Sequence, residues 1–413
     1  MMDTFLQRAG ALDAADQLAR FHELFHVPEG KIYLDGNSLG LMPKACAARV
    51  QGVLHNEWSE GLISSWSGAG WFHLPMTVGD RIAPIVGAGE KEIAVGDSTS
   101  VNLFKCLAAA LKLQEGRKVI LSEADNFPTD HYIASGLADM MDGYSVRDLN
   151  PGDDLAKKLD EKVAVLILSH VHYKTCEIRD VKAINQAAHD NGVLVLWDLS
   201  HTSGAVEINL KADDCDFAVG CTYKYLNGGP GAPAFAWINP RLQEKIQQPL
   251  SGWMGHFDPF AFTPDYQPAH GARRFVCGTP QVLSLSSLDE ALKLWSDVDR
   301  DALFAKSRAM TSFFIEAVET VCADYPLTLV CPRDASKRGS HVSFDYENGY
   351  GAMRAMADRG VTGDFRAPKT MRFGFAPLYL SFADVANAVG HLKVVLDGQE
   401  WDREEYKIRG EVT

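Results

Sequence analysis

Asp198 closes an apolar run, residues 193–197, that reads Val-Leu-Val-Leu-Trp. A carboxylate left alone at the end of so apolar a strand is costly to bury, so it calls for a cation. Lys224 follows 26 residues later, after a second apolar run at residues 217–222. Two strand ends of this kind can project toward one cleft, and a lysine placed there can form a Schiff base. His201 sits on the turn after Asp198, where it could lie against a flat ring, and Tyr223 offers a hydroxyl beside the lysine. Residues 227–231, Asn-Gly-Gly-Pro-Gly, let backbone pass close to a ligand. Carboxylate and amine together fit an aldehyde cofactor with a protonated ring nitrogen, and pyridoxal phosphate has both groups.

Other positions support or limit that chemistry. Asp97, Ser98, Thr99 and Ser100 precede a helical pattern whose apolar face includes Leu103, Phe104, Leu107 and Leu111. Hydroxyls and free N–H groups at a helix start can cradle a phosphate, although a plain N-cap has the same residues. G-x-x-x-x-G-K-[ST] and G-x-G-x-x-G are both missing, which lowers the case for ATP or NAD. Phe127 could stack on a cofactor and Asp130 could hydrogen-bond to it, or Asp130 could cap a helix after a proline turn. His170 and His172 have no third ligand nearby and HExxH is missing, so no metal is expected. Thr175, just beyond them, is the better donor to a ring substituent. Trp66, Trp71, Phe72 and His73 stand among glycines at residues 60–75, where they could line a pocket for a flat substrate.

These residues need a scaffold. Short Val, Ile and Leu runs at residues 118–122, 163–169, 193–197, 217–222 and 233–237 alternate with helical patterns such as 180–190, where Val181, Ile184, Ala187 and Ala188 share a face. That rhythm predicts an α/β domain with a mainly parallel sheet between helices, and active residues just beyond the carboxyl ends of its strands. After about residue 283 one or two long helices lead into a smaller α+β lobe. The N-terminal segment reads as a helix ending near His26, followed by a structured loop with Gly36, Gly40 and Pro43. The expected division is 1–60 packing with the small domain, 61–290 as the large domain and 291–413 as the small one. The charged last dozen residues are expected to be loosely held.

A net charge of −14 argues against nucleic acid or an anionic membrane as partner. The apolar run 163–168 is far too short to span a bilayer. Eight scattered cysteines read as reduced thiols, and the N-terminus lacks the apolar stretch of a signal peptide, so a cytoplasmic protein acting on a small molecule is expected.

The motifs YLDGNSLG, the Trp66 loop, SVNL, NFPTDHY, HVHYKT, WDLSHTSGAV, CTYKYLNGGPGAPAF, SGWMGH, GTP and MRFGFAPLY occur in that order over nearly the whole chain. In them the chain resembles the fold-type-I pyridoxal-phosphate enzymes and, among these, the kynureninase family, which cleaves L-kynurenine to anthranilate and L-alanine. The resemblance implies a fold-type-I pyridoxal-phosphate-dependent transferase fold. It implies that Lys224 carries the cofactor, that Asp198 pairs with the pyridine nitrogen, and that Thr99, Ser100, Phe127, Asp130, Thr175, His201 and Tyr223 complete the cofactor shell. Trp253 and Thr279 would reach the neighbouring subunit's site in a homodimer, Arg372 would bind the substrate's α-carboxylate, and Trp66 would contact its aniline ring. The implied reaction is hydrolysis of the Cβ–Cγ bond in tryptophan catabolism, through cofactor imines and a hydrated γ-carbonyl. Action on 3-hydroxykynurenine depends on the pocket around Trp66, Gly278 and Thr279.

The family often has Gly after the threonine of YKT, where this chain has Cys176; if that position needs φ > 0, the local turn must differ. The alternatives are a cysteine desulfurase or aminotransferase of the same fold, or a non-catalytic pyridoxal-phosphate-binding regulator. A desulfurase needs a mobile cysteine late in the chain, whereas Cys322 and Cys331 fall in helix-like and strand-like patterns.

Overall fold

The computed structural model describes residues 1–408 and 410. The chain packs into two compact units, one of Ala45–His170 with Arg179–Ser296, the other of Met1–Lys44, Val171–Ile178 and Asp297–Thr413.

The first unit is built on a seven-stranded sheet in the order Ile93–Val95, Phe235–Ile238, Phe217–Gly220, Leu194–Asp198, Val163–Ser169, Val119–Glu123, Ser145–Leu149. The last five run parallel, and Phe235–Ile238 is antiparallel to both neighbours. Every residue of Val163–Ser169 is buried, as its unbroken apolar sequence requires of a strand covered on both faces. Helix Thr99–Leu113 places Leu103, Cys106, Leu107 and Ala110 in one core cluster with Val165, Ile167, Phe217 and Val219. Helix Val181–Asp190 starts at Asp180, whose side chain accepts Ala183 N–H at 3.0 Å. Asn185 on that helix accepts the Trp197 indole N–H at 2.9 Å, which fixes the residue before Asp198.

Two of these strands have no counterpart in the sequence reading. Ile93–Val95 has only three residues, and Ser145–Leu149 is an edge strand whose exposed Ser145 and Asp148 leave no continuous apolar run.

In the second unit a four-stranded antiparallel sheet runs in the order Asp364–Arg366, Thr370–Gly374, His341–Asp345, Thr328–Leu329. Helix Met2–Ala14 stops well before His26. The chain turns because Asp16 accepts Leu18 N–H at 2.9 Å and forms a buried ion pair with Lys306 at 2.7 Å; residues Ala19–Leu24 continue as a separate 3-10 helix. Asp13 accepts Phe382 N–H at 2.7 Å and Ala383 N–H at 2.9 Å, tying that N-terminal helix to the start of helix Phe382–Asp397. Residues 171–178 fold back on themselves through the Val171–Ile178 bridge and pair with Arg338 through Glu177.

As far as Lys407 the charged tail is held more firmly than its composition implies. Tyr406, in the short helix Glu404–Lys407, is buried and its hydroxyl donates to Asp358. Residues 409 and 411–413 of that stretch lie outside the described residues.

Candidate active site

The carboxyl end of the parallel sheet in the first unit brings Ser169 and Asp198 side by side in register. Asp198 Oδ1 accepts both Ser200 N–H at 2.8 Å and Ser200 Oγ–H at 2.6 Å. Burial pushes the Asp198 carboxyl above its usual range, against the opposing pull of those Ser200 bonds and of Lys224. Asp130 lies in the first turn of helix Pro128–Asp139 and is only 1% exposed. Burial first, and then the charge of Asp198, push it well above the usual range, while Lys224 and a hydrogen bond from Asn126 act the other way.

Asn126 fixes this second carboxylate. Its amide donates to Asp130 Oδ2 at 3.1 Å, and its carbonyl accepts Ser169 Oγ–H at 2.6 Å and Phe127 N–H at 2.8 Å. Phe127, between the two, is 40% exposed. The Lys224 amine lies 3.1 Å from His201 Nε2 and 6.0 Å from the centre of the Tyr223 ring. The neighbouring Cys221 thiol, then burial, push the Tyr223 phenol upward. Asp130, Asp198, His201, Tyr223 and Lys224 therefore form one group. Two crowded, desolvated carboxylates face a lysine amine, an arrangement suited to a cationic ring nitrogen and a carbonyl carbon.

Thr99 and Ser100 are the first two residues of their helix, after Asp97 in the left-handed region at φ 56°. Ser98 caps the turn by accepting Val101 N–H at 3.3 Å, leaving the Thr99 and Ser100 hydroxyls half-buried at a positive helix end. After Lys224 the chain makes a tight turn in which Asn227, Gly229 and Gly231 all have positive φ. A Cβ on Gly228 would stand 2.8 Å from Leu288 Cδ1, so the turn packs against its own unit only with glycine there.

Trp66 makes edge contacts with Trp71 at 6.2 Å and with Trp253 at 6.1 Å, and Trp253 meets Phe260 at 5.8 Å. Thr279 is exposed. An apolar cavity of about 420 Å³ lies beside this cluster, lined by Val53, Trp58, Trp71 and residues 281–284, with Trp66 outside its wall.

Thr175 and Arg372 belong to the second unit. Thr175 Oγ1 lies 3.0 Å from His172 Nδ1. His170, in the first unit, meets the Thr202 hydroxyl at 3.1 Å, and burial pushes its imidazole down to about 4. Cys176 does adopt a positive φ, 60°, so the turn keeps the glycine-like conformation with a cysteine in it. Its buried thiol accepts His341 N–H at 3.3 Å, and the missing side chain of Gly339 makes room for it, since a Cβ there would lie 3.1 Å from the sulfur. Arg372, 1% exposed, is paired with Asp364 directly across the strands. Asn126, Ser200 and Asp364 went unseen in the sequence reading. The signal for the first two was present, Asn126 being a short polar residue four positions before Asp130 and Ser200 one two positions after the strand-end Asp198.

This fold, with a lysine and an aspartate at the carboxyl edge of its sheet, is that of the fold-type-I pyridoxal-phosphate enzymes. The cysteine desulfurase of Thermococcus onnurineus NA1 superposes with a TM-score of 0.78 at 18% identity, covering 92% of this chain and 98% of its own. The Escherichia coli cysteine desulfurase CsdA does so with a TM-score of 0.74 at 20% identity, again over 92% and 98%. The chain belongs to the kynureninase family. It is 48% identical to the kynureninase of Pseudomonas fluorescens over 408 residues, 98% of both chains, and 48% identical to that of Burkholderia mallei over 412 residues, 98% of this chain and 99% of the other. Residues 303–392 match the kynureninase C-terminal domain.

Proposed function

We propose that the protein hydrolyses the Cβ–Cγ bond of L-kynurenine, releasing anthranilate and L-alanine in tryptophan catabolism, with pyridoxal 5'-phosphate as cofactor. The observation that carries this reading is the Asp130–Asp198–His201–Lys224 group in a chain that aligns end to end with kynureninases.

The residues fit the cofactor. Asp198 and Asp130 are buried carboxyls pushed upward, first by burial, and a pyridinium N–H would offset the cost of their charge. Thr99 and Ser100 offer hydroxyls and helix-start N–H groups for the phosphate. Phe127, on a tether fixed by Asn126, has an exposed face for stacking, and Thr175 serves a ring substituent.

When bound, the cofactor acts as a sink for the electron pair left at the substrate's Cα. Asp198 holds the proton of the ring nitrogen. Lys224 would hold the cofactor at its aldehyde carbon, and its free amine would take a proton from the substrate's Cα and return one. His201, within 3.1 Å, keeps the lysine amine aimed. Tyr223 relays a proton between Lys224 and the phosphate side. Water adds to the substrate's γ-carbonyl, the Cβ–Cγ bond breaks to free anthranilate, and a proton delivered to Cβ completes alanine. Arg372 binds the α-carboxylate, and Trp66 with Trp71 takes the aniline ring.

The protein acts as a cytoplasmic homodimer, with Trp253 and Thr279 serving the neighbouring subunit's site. In support, all eight cysteines are free thiols, and Trp253 is exposed beside Phe257, Phe260 and Phe262. Among the described residues no helix is long and apolar enough to cross a membrane. Cys322 and Cys331 are buried, with Cys322 pushed up to about 12 by burial, so neither is poised as a desulfurase nucleophile.

Addition of kynurenine to the holoenzyme should produce anthranilate fluorescence, and Lys224→Ala should abolish both this and borohydride trapping of the cofactor. Turnover of cysteine without anthranilate release would overturn the reading. Steady-state comparison with 3-hydroxykynurenine measures the ring preference.

A further inference from the structure

Arg372 stands opposite Asp364 in the antiparallel register, and the two meet side-on. Its Nε donates to Asp364 Oδ1 at 2.7 Å, and Nη2 donates to Oδ2. The other edge of the guanidinium meets neutral acceptors, with Nη1 2.6 Å from the Tyr173 carbonyl and Nη2 3.1 Å from Ser38 Oγ. Ser38 Oγ donates to Asp364 Oδ2 at 2.7 Å, and Arg366 Nη2 reaches the same oxygen at 2.8 Å.

A fourth charged residue completes the group. Asp35, held by a backbone bridge to Gly374, lies beside Ser38 and feels Asp364, Arg372 and Arg366. The phenols of Tyr33 and Tyr379 face it as well, and neither carries charge in the working range because burial pushes both upward. Two guanidinium groups and two carboxylates sum to zero when Asp35 is ionised, and to one positive charge when it is protonated. An incoming carboxylate is balanced only in the second state.

We propose that Asp364 is a positioning residue that fixes the plane of Arg372 and presents its Nη1–Nη2 edge to the substrate's α-carboxylate, and that Asp35 sets the charge of this group, so that carboxylate binding requires a proton on Asp35. The proposal rests on the reading that Arg372 binds the α-carboxylate. The energetics agree with the geometry. Burial first, then the Asp364 charge, raise Asp35 to about 7, while Arg372 holds Asp364 below the usual carboxylate range although burial opposes it.

Four variants of the holoenzyme test it, with KM and kcat for kynurenine measured from pH 6 to 9 and the affinity of the product alanine measured by competition. In the wild type KM should climb above pH 7, by up to about tenfold per pH unit, as the binding-competent fraction falls. Asp35→Asn should flatten that climb. Asp364→Asn should raise KM and the alanine dissociation constant by at least about tenfold, more than it lowers kcat, since the bidentate hold is lost; Asp364→Glu should restore part of the affinity. If Arg372→Lys leaves KM unaltered, the reading of Arg372 itself is wrong. If Arg372→Lys raises KM while Asp35→Asn keeps the wild-type pH profile, the proposal fails and that reading stands. Should Asp364→Asn not fold, the Asp35→Asn profile decides alone.

Discussion

Ser200 places both of its donors on one oxygen of Asp198, the backbone N–H at 2.8 Å and the hydroxyl at 2.6 Å. Ser200→Ala removes the second and leaves the first. A hydrogen bond to a charged group contributes about 1.5–3 kcal/mol, and 2.6 Å lies in the short range typical of hydroxyl–carboxylate pairs. That stabilisation favours the ionised carboxylate, the form that holds a protonated pyridine nitrogen. Its loss should therefore weaken cofactor affinity by about 10- to 100-fold, at about 1.4 kcal/mol per factor of ten. The change also takes from Cys221 N–H its acceptor, Ser200 Oγ at 3.3 Å, so the strand end that leads to Lys224 loosens with it. Pyridoxal phosphate titrated into the cofactor-free protein and followed by its absorbance gives the dissociation constant directly. Ser200→Thr, which keeps a hydroxyl, should restore most of the affinity. A Ser200→Ala protein that folds normally and binds the cofactor within about twofold of wild type would refute the reasoning.

Two further outcomes are expected. Cys176→Ala and Cys176→Gly both lose the buried thiol and the acceptor of His341 N–H, and they differ in how well they tolerate φ 60°; Gly should be the more stable by about 1 kcal/mol, or about 2–4 °C in Tm, and an Ala variant as stable as the Gly one would show that the turn is unstrained. Asp130 has a folded-state pKa raised above its unfolded value, so the cofactor-free protein loses stability as pH rises from about 4 through that raised value. Asp130→Asn should accordingly gain Tm relative to wild type on going from pH 5 to pH 8 without cofactor, and an unchanged or shrinking difference would contradict this.

The elements that carry chemistry were legible because their sequences are extreme. Val163–Ser169 and Leu194–Asp198 have no polar residue before their ends, which marks both strands as covered on two faces and makes the terminal carboxylate conspicuous. The Asp198–Lys224 spacing then places two such ends together. Residues that act through others were not legible. Asn126 and Ser200 look like ordinary turn residues until Asp130 and Asp198 are seen to depend on them, and the Asp364–Arg372 pairing needs a strand register that short, mixed strands do not announce. The early end of the first helix was hidden for the same reason, since Asp16 has its partner, Lys306, far along the chain.

The second unit takes its three segments from the two ends and the middle of the chain. Asp13 and Asp16 have their partners at Phe382, Ala383 and Lys306, so the N-terminal helix must wait through synthesis of nearly the whole polypeptide before it can dock. The other unit is complete in sequence once residue 296 has emerged. Folding during translation is therefore ordered, with the sheet that bears Lys224 able to form first and the unit that bears Arg372 closing last. A fragment cut at residue 297 would carry the C-terminal family match yet lack the helix and the hairpin on which its own packing depends.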